Sequence, residues 1–153
     1  MESGTRTSKV RPVLLVWLML AGAWVHADLS PGQPAIDGYS PVSYFTEGQA
    51  ERGQPEHAVT HDGQTYFLTS ETQVREFEAD PERYIPAYGA YCPYSLALGR
   101  REPIDPTNFK VVGDQLLLFH RSESMDGRAA FEADDRQQEL LERAEREYTL
   151  IRF

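Results

Sequence analysis

Short segments rich in apolar and β-branched residues, each interrupted by a polar turn, predict the β-structure of this chain. Asp62-Gly63 separates the two segments of the first pair, and Gly113-Asp114 separates those of the second. Asp-Gly is favoured where both central residues of a hairpin turn need positive φ. The paired segments are residues 56–61 with 64–69 and residues 109–112 with 115–120. We therefore predict two β-hairpins.

Helical segments are indicated by apolar spacing and by residues that begin or end helices. Ser70 caps a helix that runs to about Ala79, with Val74 and Phe77 on its inner face. Asp80-Pro81 repeats the signal of a cap followed by proline and predicts a second short helix, which Pro86 ends.

The same signals predict three further helical segments. Ser40 and Pro41 begin a short helical turn, and Cys92-Pro93 opens a short helix that ends at Gly99. Residues 126–147 form a charged helix with a thin apolar face. The predicted apolar contacts of this helix are Phe131, Leu141, Ala144 and Tyr148. Strands and helices mix without a βαβ rhythm, so we predict an α+β fold in one domain.

The N-terminal residues have the layout of a secretory signal peptide. Basic residues precede an apolar run over residues 13–25, and Val25-His26-Ala27 offers small or aliphatic residues at the cleavage positions. The run is shorter than the ~20 apolar residues of a membrane span. An uncleaved membrane anchor is the alternative, because the run is bulky. The predicted parts are a signal peptide over residues 1–27, a linker over 28–34 and one domain over 35–153.

An acidic charge balance argues against two classes of partner. The 153-residue chain has a net charge of −9, and removal of residues 1–27 leaves 12 Lys and Arg against 23 Asp and Glu, a net charge of −11. Nucleic acids and anionic membrane surfaces both reward basic patches. We therefore expect neither as a partner of the cleaved, periplasmic or secreted protein.

A series of short motifs follows a fixed order along the domain. It runs from a Pro-Val step through a hairpin turn, a Tyr-Phe strand and a helical phenylalanine to an Asp-Pro-x-x-Tyr segment. The positions are Pro41-Val42, Asp62-Gly63, Tyr66-Phe67, Phe77, Asp80-Pro81 and Tyr84. This order resembles the YHS domain, a small module to which metal binding is usually ascribed.

The longer, secreted members of the YHS family are the most similar in layout. They begin with a Gly-Tyr-Asp-Pro-Val-x-Tyr-Phe element, which residues 38–45 match with Ser40 in place of the aspartate. They continue into a Gly-Tyr-Cys segment, matched by Ala90-Tyr91-Cys92, a second hairpin and a C-terminal helix. The resemblance spans residues 35–148 and implies the family fold.

This chain departs from the family at the positions linked to metal binding. YHS domains commonly have one cysteine just after the Pro-Val step and another after the Tyr-Phe strand. Ser43 or Tyr44 stands at the first position, and Leu68 or Thr69 at the second. The thiolate pair that suits a soft metal is therefore missing.

Cys92 is the only cysteine, which excludes an intramolecular disulfide. Its position at a predicted helix N-terminus favours a thiolate, which binds metals or undergoes oxidation. The alternative is a small buried residue, since free cysteine is among the most buried residue types. Tyr88, Tyr91 and Tyr94 crowd around it, which suits burial. Together with Tyr84 they recur every three or four residues and form either an aromatic pocket or core.

The histidines complete the set of candidate ligands. His57 and His61 share one strand face but lie ~13 Å apart at ~3.3 Å per residue, so they cannot chelate one ion alone. Either one joins a metal site only if the fold brings it to Cys92 or His120. His120 is also a candidate general base for Cys92 as a nucleophile. The alternative for each histidine is an ordinary surface or strand-end residue.

We therefore predict a secreted or periplasmic YHS-like binding module and not an enzyme. The predicted ligand is a transition metal, copper or zinc, with Cys92, His120 and His61 as candidate ligands. The alternatives are a metal-free interaction or scaffold domain and a single-cysteine thiol redox protein. An exposed Cys92 beside a histidine favours metal or redox chemistry, whereas burial of Cys92 among tyrosines favours the scaffold.

Overall fold

The computed structural model describes residues 32–152, so the predicted signal peptide and residues 28–31 of the predicted linker lie outside the described residues. The helices are α1 (Ser43–Thr46), α2 (Glu71–Ala79), α3 (Pro81–Tyr84), α4 (Pro93–Ala97), α5 (Gly127–Ala133) and α6 (Gln137–Arg152). The strands are β1 (Gln54–His61), β2 (Gln64–Leu68), β3 (Asp105–Val112) and β4 (Gln115–Phe119). The predicted α+β fold with two hairpins and a C-terminal helix is confirmed. Over the described range, no helix combines the length and the apolar character needed to cross a bilayer.

The two hairpins form separate antiparallel pairs, β1–β2 and β3–β4. Asp62 and Gly63 have φ values of 46° and 75°, which is the double positive φ expected of an Asp-Gly turn. In the second turn Gly113 has a φ of 59°. Both first strands begin earlier than predicted, at Gln54 and Asp105, because each contains a bulge that extends its pairing.

Strand β4 lies between two hydrophobic cores. Leu116 and Leu118 point into the first core, and Leu117 and Phe119 point into the second. These four side chains are at most 2% exposed. The first core also contains Ile36, Val42, Tyr44, Tyr66, Leu68, Phe77 and Tyr84. The second core also contains Tyr88, Cys92, Leu96, Ala97, Phe131, Leu140 and Ala144.

Several predicted helix ends are confirmed. The Ser70 hydroxyl accepts a hydrogen bond from the backbone N–H of Gln73 at 3.3 Å and caps α2. Helix α4 begins after Cys92 and ends before Gly99, whose φ is 72°. Asp80 precedes α3, but its side chain makes no capping hydrogen bond.

Two predictions about helices are wrong. Ser40 is not a helix cap: it is fully buried, and its hydroxyl donates to Gln73 Oε1 at 2.7 Å, so α1 begins only at Ser43. The helix predicted over residues 126–147 is broken in two at Asp134. The Asp134 carboxylate accepts the backbone N–H of Arg136 at 2.8 Å and starts a new helix there.

The predicted apolar face of the C-terminal segment is largely correct. Phe131 and Ala144 are buried in the second core, and Leu141 and Tyr148 pack partly against it. Leu140, which was not among the predicted contacts, is buried as well. Helix α6 therefore packs along one side, chiefly against α4.

Asp126 is the cap of α5 and also joins this helix to β3. Its Oδ1 accepts hydrogen bonds from the backbone N–H of Ala129 at 3.1 Å and of Arg128 at 3.0 Å. The side-chain amide of Asn108 donates to the same oxygen at 3.0 Å. The backbone bond from Ala129 and then the Asn108 bond lower the pKa of Asp126.

We predict that Asp126→Ala lowers the free energy of unfolding at pH 7 by about 1 to 2 kcal/mol through loss of the cap. Folding lowers the pKa of Asp126. The cap therefore stabilises the folded state at pH values above the ordinary pKa of an aspartate, and this stabilisation is lost as the pH falls through the folded-state pKa. Urea unfolding measured from pH 7 to about pH 3 should therefore show a narrowing gap between wild type and variant. Asp135→Ala, an exposed neighbour, is the control, and an equal loss in both variants would contradict the prediction.

Candidate functional site

Cys92 is fully buried in the second core and has no exposed surface. Tyr88 is buried in the same core as Cys92, and Tyr91 and Tyr94 are partly buried against this core. Its Sγ lies 3.0 Å from the position that a Cβ on Gly127 would occupy. Cys92 therefore fits the predicted alternative of a small core residue among tyrosines.

His120 lies near Cys92 through its backbone, but its ring is engaged elsewhere. A Cβ on Gly127 would also lie 3.1 Å from the His120 carbonyl oxygen, so the two residues border the same small space. The imidazole Nδ1 lies 2.9 Å from the Pro103 carbonyl oxygen, which only accepts, so Nδ1 carries the proton of this hydrogen bond. Its Nε2 faces Glu102 at 3.8 Å.

A second polar contact ties Glu102 to helix α4. The buried Ser95 donates its hydroxyl hydrogen to Glu102 Oε2 at 3.1 Å. Ser95, Glu102 and His120 thus lie together, but the serine proton goes to the carboxylate and not to the imidazole. In a nucleophile activated by a histidine base, the serine would donate its proton to the imidazole instead. His120 and Glu102 line a pocket of about 390 Å³ beside α4.

His61 is the one predicted metal ligand that the fold places with other ligand side chains. Its Nε2 lies 3.0 Å from Glu82 Oε1 and 3.8 Å from Asp62 Oδ2. The three side chains offer ligand atoms within 4.8 Å of one another, the one such group of three found among residues 32–152. The structure therefore brings His61 to neither Cys92 nor His120, but to two exposed carboxylates.

Ser43 and Thr69, one of the two candidates at each position where YHS domains commonly have a cysteine, both contact one glutamine. Gln73 accepts the Ser40 hydroxyl at 2.7 Å and the Thr69 backbone N–H at 3.1 Å through Oε1. Its Nε2 donates to Ser43 Oγ at 3.0 Å, and that hydroxyl donates to Glu51 at 2.8 Å. Each polar atom of this buried chain has a partner, which makes it a structural network.

The four tyrosines predicted as a pocket or as core are core residues. Tyr84 belongs to the first core and Tyr88 to the second, while Tyr91 and Tyr94 pack against the second. Tyr88 donates its hydroxyl hydrogen to the Leu141 carbonyl at 3.3 Å. Tyr94 also lines the pocket of about 390 Å³ beside His120.

A second concave feature is a cleft of about 660 Å³, lined by residues that belong to or pack against both cores. It lies between the β1–β2 turn, the connection from α3 to α4 and the C-terminal end of α6. Its apolar lining includes Ile36, Tyr66, Ile85, Pro86 and Ile104. Its polar lining includes Asp37, Asp62, Gln64, Tyr148 and Arg152. A cleft of this size matches the range of small-molecule sites, which is about 300 to 1,000 Å³.

One wall of the cleft has an unusual backbone. Ile36 (φ 55°, ψ 35°) and Asp37 (φ 50°, ψ 27°) are both left-handed, a conformation that a β-branched residue rarely adopts. Arg52 holds this turn by donating from its guanidinium to the Asp37 carbonyl at 2.6 Å. Such residues cost about 1 to 3 kcal/mol each and tend to cluster at ligand sites.

Tyr66 and Tyr148 place two hydroxyl groups at the cleft. Tyr66 is 7% exposed, and burial, followed by the nearby Tyr148, Glu82 and Asp62, raises its pKa from 10.0 to about 12. The phenol is therefore neutral at physiological pH. Gly89, with a φ of 55°, lets the Tyr148 hydroxyl approach, because a Cβ there would lie 2.8 Å from Tyr148 Oη.

Comparison of the chain with protein-family models, with curated proteins and with solved structures gives no match. The resemblance to the YHS domain therefore stays a prediction that depends on the motif residues.

Sequence reasoning missed the residues that form the cleft and the His61 group. Asp62 was interpreted as a turn residue and Tyr66 as a strand residue, and both interpretations are correct but incomplete. Glu82 lies 21 residues from His61, and Tyr148 lies in a different core from Tyr66. No local pattern indicates such contacts, because they depend on how the hairpin, α3 and α6 pack together.

We predict that the Cys92 thiol of the native protein reacts with Ellman's reagent at least about a thousandfold more slowly than a free thiol, because reaction requires opening of the core. One thiol per chain should react at once in guanidinium chloride. The control is a Cys92→Ser/Ala133→Cys double variant, whose exposed thiol should react immediately in the native state. Rapid reaction of native wild type would show that Cys92 is accessible.

Proposed function

We propose that this chain is a metal-free binding module, a divergent member of the YHS family, that takes a small amphipathic ligand into the cleft between its two cores. The observation that supports this most directly is the cleft itself, which has an apolar floor and polar groups at its rim. This combination is typical of ligand sites, where the apolar surface supplies affinity and a few polar groups fix orientation.

The burial of Cys92 favours this proposal over metal or redox chemistry at the thiol. A metal ion or an oxidant must contact Sγ, and Cys92 is 0% exposed among apolar side chains. His120, the other candidate ligand near it, uses Nδ1 in a hydrogen bond to Pro103. A Cys92–His120 metal site would therefore require the second core to open.

The left-handed wall supports the cleft as the functional region. Ile36 contributes to the first core while its backbone is strained, so packing and the Arg52 hydrogen bond keep the strained turn in place. The strain shapes the cleft wall before any ligand arrives. A preformed wall lowers the ordering cost of binding.

We predict that a panel of small fragments of different charge, followed by ¹H–¹⁵N correlation spectra, shifts the signals of one region, the cleft, with Gly89, Ala90 and Gln64 among them. Fragments of this size bind with about millimolar Kd. Ala90→Trp places an indole at the exposed rim and should weaken cleft binding at least about tenfold by filling the space.

Ala133→Trp is the matched control, since Ala133 is also an exposed alanine but lies outside the cleft. It should bind the fragments as wild type does. Shifts scattered over the surface, or equal binding by the Ala90→Trp protein, would contradict the proposal.

A second candidate function is cation binding by His61, Asp62 and Glu82. An imidazole nitrogen and carboxylate oxygens suit Zn²⁺ and Cu²⁺. Ligand atoms around one zinc ion lie at about 2 Å from it, so the present spacing needs only small side-chain rotations. All three side chains are at the surface, with Asp62 and Glu82 exposed, so we expect weak binding.

Titration calorimetry with Zn²⁺ and Cu²⁺ tests this candidate. His61→Gln should lose the binding, whereas His57→Gln should retain it because His57, on the same strand, belongs to no such group among residues 32–152. Cys92→Ser should also retain it. Loss of binding in Cys92→Ser, with retention in His61→Gln, would instead support the thiol as the metal ligand.

A further inference from the structure

The pocket of about 390 Å³ beside α4 is separate from the cleft, because no residue lines both. Its walls come from α4, the connection from α4 to β3, the loop after β4 and α5. Two groups that carry opposite charges line it, the guanidinium of Arg100 and the carboxylate of Glu102. Its volume lies at the small end of the range for ligand sites, which is about 300 to 1,000 Å³. The pocket therefore suits a small polar ligand.

The acidic side of the pocket presents two hydrogen-bond acceptors that face each other. His120 Nδ1 carries the proton that it donates to the Pro103 carbonyl, so Nε2 is an acceptor in the neutral ring. Glu102 Oε2 lies 3.8 Å from Nε2, and a carboxylate oxygen only accepts. An ammonium nitrogen about 2.9 Å from each atom fits between them, because 3.8 Å is less than twice that distance.

Both acceptors are held in place by other contacts. Ser95, which is fully buried, donates to Glu102 Oε2 at 3.1 Å, and the Pro103 carbonyl holds the ring of His120 at 2.9 Å. The side chains of Glu102 and His120 are 29% and 20% exposed, so they are set into the pocket wall. A ligand that binds them therefore loses little free energy in ordering these side chains.

The basic side of the pocket is Arg100. Its guanidinium forms no ion pair with any carboxylate of residues 32–152, and it lies 3.7 Å from the Met125 sulfur, a weak acceptor. Ser122 and Ser124, whose hydroxyl oxygens lie 3.4 Å apart, line the same pocket and offer further donors. A planar guanidinium with hydroxyl groups in the same pocket suits a carboxylate.

We infer that this pocket binds a small zwitterion of the amino-acid class. The ammonium group donates to Glu102 and His120, and the carboxylate accepts from Arg100. A ligand with one charge would use only one side of the pocket, because Arg100 and Glu102 do not pair with each other. Tyr94 and Leu98, which is 47% exposed, offer an apolar wall to the side chain of the ligand. The inference goes beyond the proposed function and does not depend on it.

The test uses three probes that share one side chain: leucine, leucinamide and N-acetyl-leucine. Leucinamide lacks the carboxylate, and N-acetyl-leucine lacks the ammonium group. Binding is followed in ¹H–¹⁵N spectra at about pH 7, where an ordinary imidazole is mostly neutral and an α-ammonium group is mostly charged. We expect leucine to shift the signals of Ser122, Ser124 and Ala130 with about millimolar Kd. Each derivative should bind at least about fivefold more weakly.

Two substitutions that remove a charge assign the two ends of the ligand. Arg100→Gln should weaken leucine binding about three- to tenfold and should not weaken leucinamide binding. Glu102→Gln should weaken leucine binding by a similar factor and should not weaken the binding of N-acetyl-leucine. The amide oxygen of the new side chain still accepts from Ser95, so the contact with α4 is kept.

Arg101→Gln and Glu123→Gln are the matched controls, since both residues are exposed and lie outside the pocket. Both variants should bind leucine as wild type does. A similar loss of leucine binding in a control and in its matched pocket variant would show an effect of net charge alone, which would overturn the inference.

The outcomes separate the inference from the proposed function. Equal binding of leucine and either derivative would overturn the zwitterion inference, and so would normal leucine binding by the Arg100→Gln or Glu102→Gln protein. Absence of shifts at Ser122, Ser124 and Ala130 would overturn the site itself. Gly89 and Gln64 report on the cleft in the same spectra. Failure of the pocket therefore leaves the proposed function as it stands, and failure of the cleft leaves the pocket.

Discussion

The structure depends on a single strand, β4, that is buried on both faces. Because side chains alternate along a strand, Leu116 and Leu118 fill one core and Leu117 and Phe119 fill the other. Burial of one large apolar side chain contributes about 1.5 to 3 kcal/mol, so these four contribute roughly 6 to 12 kcal/mol as an upper limit. That is comparable with the whole stability of a typical domain, about 5 to 15 kcal/mol. Strand β4 therefore joins the two cores.

The cleft follows from the same arrangement. The cores share β4, but their outer parts are built from different elements: Ile36 and Tyr66 belong to the first, whereas Tyr148 packs on the second. The space between the two cores is open away from β4, at the β1–β2 turn and at the end of α6. A ligand site there combines side chains from distant parts of the chain.

Local features of this fold follow from the sequence, and long-range ones do not. The Asp62-Gly63 turn and the Ser70 cap each depend on residues next to one another, so both were predicted correctly. Ser40 carries the same local signal as Ser70, but Gln73, 33 residues away, takes its hydroxyl instead. The break at Asp134 was missed because an aspartate within a predicted helix does not indicate a cap. Its carboxylate can act as one only where the preceding helix has ended. The placement of Tyr66 and Tyr148 in one cleft depends on both cores and has no local signal at all.

The polar network at Gln73 bears on how this chain relates to its proposed family. The positions where YHS domains commonly have cysteines hold Ser43 or Tyr44 and Leu68 or Thr69. The Ser43 hydroxyl and the Thr69 backbone N–H both contact the Gln73 side chain, which also accepts the Ser40 hydroxyl. Two thiolates at these positions would offer soft, anionic ligands to a metal. Neutral hydroxyl and amide groups instead satisfy one another, and the α1–α2 contact is kept without an ion. On that proposal the family fold is kept, while the concave surface suited to a ligand is the cleft between the two cores. A binding role on this fold is therefore better sought in the cleft than at the positions where the family commonly has its cysteines.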